Sequence, residues 1–316
     1  MEKAIGGYFE LELRSGDHYH QDALRLNSGR NCFEYILRAN RYKRVYVPYY
    51  TCEVMLPPLK DNHIEYMYYH IGENLEPVEK IKLQAGEAFL YTNYFGLKQH
   101  CVERLAGIYG ERLIVDDSQA FFAPRLSGVD TFYSARKFFG VPDGAYLYSN
   151  KILDVNLQRA VSCTRIMSLV KRIDISAEAG YGDFQTASEE LCERPMELMS
   201  VLTEKLLCSV DYAAAADKRR ENFRYLHERL ANGNRLKIDD DPGAVPMVYP
   251  LWQNDSNLKK KLISNRIFVA TYWPNIFDWC AEISVEYNLA KNTVSLPVDQ
   301  RYGLSEMERI CMILQS

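Results

Sequence analysis

Short β-branched and aromatic runs alternate with helix-forming stretches through the first half of the chain, and this alternation limits the fold more than any other feature of the sequence. Arg44-Val45-Tyr46-Val47-Pro48 has the pattern of a buried strand stopped by a proline, and segments 64–69, 87–92, 112–116 and 145–149 read the same way. Segments 31–39, 52–59 and 99–109 lie between them as helix candidates. Strands and helices in alternation predict a mostly parallel sheet covered by helices on both faces. Sheets of this kind place ligands at the carboxyl ends of their strands.

The second half has a different pattern. Residues 189–231 read as helical, and Asn232-Gly233-Asn234 ends that run as Gly and Asn do at helix termini. Asp239-Asp240-Asp241-Pro242-Gly243 reads as a turn. Short strands are expected at 245–250 and 267–270, with a last helix from Ser305. A chain of 316 residues suits about two domains of roughly 150 residues. The expected architecture is a three-layer α/β large domain over residues 1–200, opened by an arm over about 1–20. A smaller α+β domain follows over 201–316, with the boundary falling between 185 and 215.

Composition narrows the function. The chain is 47% hydrophobic and 25% charged, and its net charge of -4 is spread over mixed signs. No basic stripe is present, which argues against a nucleic-acid partner. The start lacks the apolar core of a signal peptide, and no apolar run approaches the roughly 18 residues that span a bilayer. A cytoplasmic enzyme with no membrane partner is expected. The eight cysteines form no C-x-x-C pair, so neither a disulfide framework nor a zinc site is predicted, and most are expected to be buried. The histidines lack metal spacing, although His18 and His20 could reach a pocket. Gly6-Gly7-Tyr8-Phe9-Glu10 reads either as a substrate-side arm or as an edge strand.

Three clusters fall where such a sheet would bind a ligand. Leu26-Asn27-Ser28-Gly29-Arg30-Asn31 opens a helix, with Ser28 as N-cap and Gly29 allowing close approach to the backbone. Its free N–H groups and helix dipole suit a phosphate, although most such pairs are only caps. Leu113-Ile114-Val115-Asp116-Asp117-Ser118-Gln119 is an apolar strand ending in two acids. One acid can cap a helix; the sharper reading is a carboxylate facing a cationic ring nitrogen. The third cluster runs from Thr131 through Ser134, Arg136 and Lys137 to Ala145, a lysine in an aromatic, glycine-punctuated turn. A lysine held among aromatics beside Arg136 has its ammonium form disfavoured, which makes it nucleophilic toward an aldehyde.

Together these clusters resemble the DegT/DnrJ/EryC1/StrS aminotransferases, a branch of the fold-type I enzymes that use pyridoxal 5'-phosphate (PLP). The resemblance runs in order from about Ser28 to Ser149. It implies a PLP-transferase-like large domain, with Lys137 as the Schiff-base lysine and Asp116 as partner of the pyridine nitrogen. It also implies Gln119 near the ring hydroxyl, and Ser28, Gly29, Arg30 and Ser134 around the phosphate. Asn93-Tyr94-Phe95-Gly96 is similar to the family's H-x-Y-G segment. The position of the ring-stacking aromatic falls near Cys52, with Tyr50 or Tyr94 as substitutes. Phe132 stands where the family often has a phosphate-binding serine, and the family's G-x-N-x-R segment has only a vague echo in Gly180-Tyr181-Gly182. The resemblance further implies a homodimer, an amino-acid donor such as glutamate and a keto-sugar acceptor, nucleotide-linked, for surface polysaccharide. Other PLP chemistry on the same fold, or a non-catalytic nucleotide-sugar-binding relative, are the alternatives.

Overall fold

A computed structural model of the chain describes residues 5–239, 241–255 and 257–315. Asp240, in the predicted acidic turn, and the first four residues of the arm lie outside the described residues.

The first half follows the predicted alternation: β1 (Leu24–Leu26), α1 (Gly29–Asn40), β2 (Arg44–Pro48), α2 (Leu56–Asp61), β3 (Glu65–Tyr69), β4 (Glu87–Thr92), α3 (Gln99–Tyr109), β5 (Leu113–Asp117), β6 (Asp130–Ser134) and β7 (Ala145–Tyr148). Among the described residues, seven strands form one sheet in the order β1-β7-β6-β5-β4-β2-β3. Strands β2 to β6 are parallel, while β7 runs against both β6 and β1. The expected mostly parallel α/β sheet is therefore present.

Side-chain alternation along the strands sorts the two faces. Ile114 of β5 and Phe132 of β6 are buried with Cys32, Phe33 and Ile36 of α1 and Leu59 of α2. Leu113, Val115 and Tyr133 are buried on the opposite face with Cys101, Val102 and Leu105 of α3. Residues at even positions of β5 thus face α1, and those at odd positions face away from it. This parity decides which of the two acids at the strand's end reaches which side.

Helices α4 (Met167–Asp174), α5 (Tyr181–Glu193), α6 (Val201–Cys208) and α7 (Tyr212–Leu230) follow, then β8 (Val248–Trp252), α8 (Leu258–Ser264), α9 (Ile276–Trp279), α10 (Val285–Asn292), β9 (Thr293–Pro297) and α11 (Leu304–Gln315). Antiparallel β8 and β9 pack with α7, α8 and α11 around Leu226, Leu251, Leu262, Leu296 and Met307. Leu207 of α6 is instead buried in the core of the large sheet. The strand expected at 267–270 is absent. Arg266 there has a left-handed backbone (φ 58), and Ile267 drops into the C-terminal core. The partner of β8 is β9, which the sequence reading did not anticipate. Nor does the arm form an edge strand: Ile5, Tyr8 and Phe9 are almost fully exposed.

Candidate active site

The turn between β1 and α1 forms one wall. Ser28 is extended, and its Oγ accepts the Asn31 N–H at 3.2 Å, which caps the helix as expected. The N–H groups of Gly29 and Arg30 precede the first helical carbonyl that could accept them, so they are left for solvent or ligand. A Cβ on Gly29 would lie 3.2 Å from Ser118 Oγ and 3.6 Å from the Phe132 ring. Glycine is what lets the ends of β5 and β6 approach the start of α1 this closely. The Arg30 guanidinium turns aside and donates to the Arg194 carbonyl at 2.5 Å.

The end of β5 forms the floor. Asp116 lies on the α1 face by strand parity and is 6% exposed. One of its carboxylate oxygens accepts the Ser118 N–H at 2.9 Å. Asp117 faces the other way, toward Tyr133, and is 1% exposed. Burial pushes its carboxyl up to about 8, with Asn93 opposing, Asp116 adding and Tyr133 opposing. The two acids therefore differ by environment: one lies beside the helix N-terminus, and the other is kept protonated in the core.

The buried state of Asp117 has a measurable consequence. Its folded value near 8 lies above the unfolded value near 4, so between these the folded chain holds the extra proton and stability falls as pH rises. His20, pushed down to about 4 by burial, acts with the opposite sign between about 4 and 6.5. Of the two, only Asp117 acts from about pH 6.5 to 8. Asp117→Asn should flatten the fall in unfolding free energy over that range, read from urea unfolding at its two ends. A slope equal to that of the parent would remove Asp117 as its source.

Lys137 ends a single 3-10 turn, Ala135–Lys137, which follows β6 directly. The turn is held at its base: Ala135 N–H donates to the Gly144 carbonyl at 3.1 Å, and Gly144 N–H to the Asn27 carbonyl at 2.8 Å. Gly144 has φ 111, and a Cβ there would meet Thr203 Cγ2 at 2.8 Å, so the position requires glycine. The expected aromatic enclosure of the lysine is not found. Lys137 is exposed, while Phe138 and Phe139 turn into the core and Arg136 reaches Ser188 Oγ at 3.0 Å. Three residues per turn fan side chains around the axis, so neighbours in such a turn cannot share one face. Ser134, half-buried, precedes the turn and makes no side-chain cap bond.

Gln119 is fully buried, and its Oε1 accepts the Phe95 N–H at 2.7 Å in the Tyr94–Gly96 turn. Its Nε2 is buried without a hydrogen-bond partner among the described residues. Tyr50 and Tyr94 are both core residues, with rings packed on each other and on Trp273, and Tyr94 donates to the Tyr50 carbonyl at 2.8 Å. Half-buried Cys52 opens the Glu53–Met55 turn that follows β2. Burial raises its thiol; the Val54 backbone N–H and, more weakly, Lys137 act to lower it, and Asp116 and Glu53 act to raise it. Asp116, at the end of β5, and Lys137, in the turn after β6, both lie within electrostatic reach of this thiol.

A groove of about 590 Å³ opens beside this cluster, lined by Glu53, Lys60, Glu189, Trp279 and the Ser188 held by Arg136. His18 and His20 are not part of it. His18 meets Tyr146 OH at 2.7 Å, and His20 meets the Phe121 carbonyl at 2.8 Å with its ring 4.1 Å from that of Tyr133, on the opposite sheet face. No group of three metal-ligating side chains occurs among the described residues. All eight cysteines are free, but only Cys32, Cys101 and Cys311 are buried, fewer than expected. No helix among the described residues is long and apolar enough to cross a membrane.

No family model and no curated protein matches the sequence. Solved structures do match. A DegT DnrJ EryC1 StrS aminotransferase from Brucella abortus aligns at 13% identity with a TM-score of 0.61, covering 93% of this chain and 85% of that one. The sugar aminotransferase CalS13 from Micromonospora echinospora aligns at 12% identity and 0.62, covering 93% and 86%. NtdA from Bacillus subtilis, solved with bound cofactor PMP, aligns at 12% identity and 0.61, covering 93% and 73%. Over nearly its whole length, the chain has the fold of these aminotransferases.

Proposed function

We propose that the chain is a PLP-dependent aminotransferase of the DegT/DnrJ/EryC1/StrS type. It transfers an amino group from an amino-acid donor, glutamate in the simplest case, to a keto-sugar, nucleotide-linked and destined for surface polysaccharide. The observation that carries this reading is the close approach of the α1 N-terminus to the carboxyl ends of β5 and β6, where Gly29 packs against Ser118 and Phe132 next to buried Asp116 and Gln119. The names of the fold neighbours, a sugar aminotransferase and a PMP-bound protein among them, support it.

The residues present fit the cofactor. The unpartnered Nε2 of Gln119 is a buried donor awaiting an acceptor, as the ring hydroxyl would provide. The Gly29 turn offers free N–H groups at a helix start, where a phosphate is favoured. Ser28 and Ser134 add hydroxyls there. Asp116 holds the proton on the ring nitrogen, with Ser118 N–H keeping its carboxylate in place. By the resemblance, Cys52 would border the ring where the family has an aromatic. Bound in this way, PLP supplies an electron sink for a carbanion beside the donor nitrogen. Lys137 would hold the cofactor's aldehyde carbon and, once the donor's amine has displaced it and freed its own, would take the proton from the donor's α-carbon as general base. The adjoining groove, with Trp279 and carboxylates of Glu53 and Glu189, offers an apolar face and acceptors for a polyhydroxylated ring.

A homodimer belongs to this reading. Lys137 is uncovered in the single chain, and Ile173, Ile175, Tyr181 and Phe184 of the neighbouring α4–α5 region are exposed. A second copy over this face would close the site and bury the patch.

Buried Phe132, packed against Gly29 where relatives carry a serine, favours a second reading: a relative that binds a sugar nucleotide without catalysis. Incubation with PLP, nitrogen-15 glutamate and keto-sugars separates the two. Label in an amino-sugar and release of 2-oxoglutarate are expected. Sugar binding with no transfer to any keto-sugar or keto acid would overturn the aminotransferase.

A further inference from the structure

Arg219, in the middle of α7, is 1% exposed, and it has no ion-pair partner among the described residues. Its hydrogen bonds go to neutral acceptors instead. Nε donates to Gln300 Oε1 at 2.9 Å, and Nη1 to the carbonyls of Pro246 and Met247 at 3.2 and 3.1 Å. Nη2 donates to the Phe138 carbonyl at 3.2 Å, and the guanidinium carbon sits 4.4 Å from the centre of the Phe138 ring. Gln300 then donates its own Nε2 to that same Phe138 carbonyl at 2.9 Å. Burial pulls the guanidinium down to about 10, with Asp299 opposing and Arg301 adding. A buried cation with no carboxylate in direct contact is an expensive way to join three segments, since apolar packing does so at lower cost.

Phe138 is the residue after Lys137 and caps its 3-10 turn, donating its N–H to the Ala135 carbonyl at 3.0 Å. We infer that Arg219 and Gln300 are positioning residues that fix the Phe138 carbonyl from two sides and thereby set the direction of Lys137. The inference rests on the reading of Lys137 as the cofactor-binding lysine. The carbonyl has a lone pair for each donor, so both bonds can be satisfied together. The charge-assisted one is the stronger. Both donors come from C-terminal segments, so any shift of the C-terminal domain is delivered to the peptide unit next to Lys137.

The test uses the full chain with Gln300→Leu, Arg219→Lys and Arg219→Met, and with Asn234→Ala as a control. Asn234 is a buried hydrogen-bonding residue of the C-terminal domain that does not touch Phe138. Two quantities are measured: amide exchange at Phe138 and Phe139, and the rate at which PLP followed by borohydride labels Lys137. Gln300→Leu, at a half-buried position, is expected to fold. It should speed exchange at both amides about tenfold and slow labelling by a similar factor, the equivalent of one hydrogen bond. Arg219→Met should do more, and Arg219→Lys should recover part of the loss. Asn234→Ala should lower the unfolding midpoint and leave both readouts unchanged. Parental exchange and labelling in folded Gln300→Leu would overturn the inference, as would an equal slowing in Asn234→Ala. If Lys137 takes no PLP in the parent chain, the cofactor reading fails by itself. The exchange measurement, which needs no cofactor, still decides whether the two side chains hold this turn.

Discussion

Replacing Lys137 with alanine should lower the rate of amine transfer by about 10,000-fold while leaving the fold intact. Structure and chemistry separate cleanly at this position. The side chain is exposed and makes no bond that holds its turn; the turn is tied through backbone groups of Ala135, Phe138 and Gly144. Little packing is lost, so the unfolding midpoint should move by no more than an ordinary surface substitution moves it. The lost amine removes both the attachment of the cofactor and the base that carries the proton from the donor. Adding a small primary amine should restore part of the rate, since it can occupy the vacated space and move the same proton. Lys137→Arg should not recover it, because guanidinium stays protonated and cannot act as a nucleophile at neutral pH. Steady-state rates with a keto-sugar acceptor, beside thermal unfolding of each variant, check the prediction. A variant that lost activity only in proportion to its stability would show Lys137 to be structural.

Asp116→Asn should come next in size, with a loss of about 1,000-fold, the scale on which single electrostatic groups act in enclosed sites. Asparagine preserves the shape and can still accept the Ser118 N–H that Asp116 accepts now. It cannot supply the negative charge that keeps a ring nitrogen protonated. The expected signature is a low rate with cofactor retained, in contrast to the loss of attachment in Lys137→Ala. The same change at Asp117, one residue on, should leave the rate close to that of the parent, because strand alternation turns that carboxyl to the opposite face beside Tyr133. Comparing Asn at these two positions tests the parity argument directly. Equal losses would mean that the end of β5 matters only as a structural unit.

The same parity explains how far the elements that frame the candidate site were legible in the sequence. Strand β5 is apolar up to Val115, so its carboxyl end and the two acids there follow from local pattern, while the choice of Asp116 and Gln119 came from the family resemblance. Ser28 caps α1 with its own neighbour Asn31, another local interaction. What escaped the sequence depends on distant partners. The exposure of Lys137 is set by how Phe138 and Phe139 pack into a core built from other elements. Tyr50 and Tyr94 suit a pocket as well as a core until Trp273, far along the chain, packs against them. Strand β9 was missed because its role comes from pairing with β8, some 45 residues earlier, and the run at 267–270 was misread because its apolar residues serve the C-terminal core instead. Arg219 is one of several charges on the long helix α7, and nothing local in the sequence marks it as the one that turns inward to Phe138.

The central claim is that Lys137 holds the cofactor, and one measurement bears on it most directly. The purified chain is incubated with PLP, its absorption spectrum is recorded, the adduct is reduced with borohydride, and the modified peptide is identified. The account predicts a visible absorption band that reduction removes, and a single stable pyridoxyl label on Lys137. A label on any other lysine, or no band and no label with PLP in excess, would contradict it.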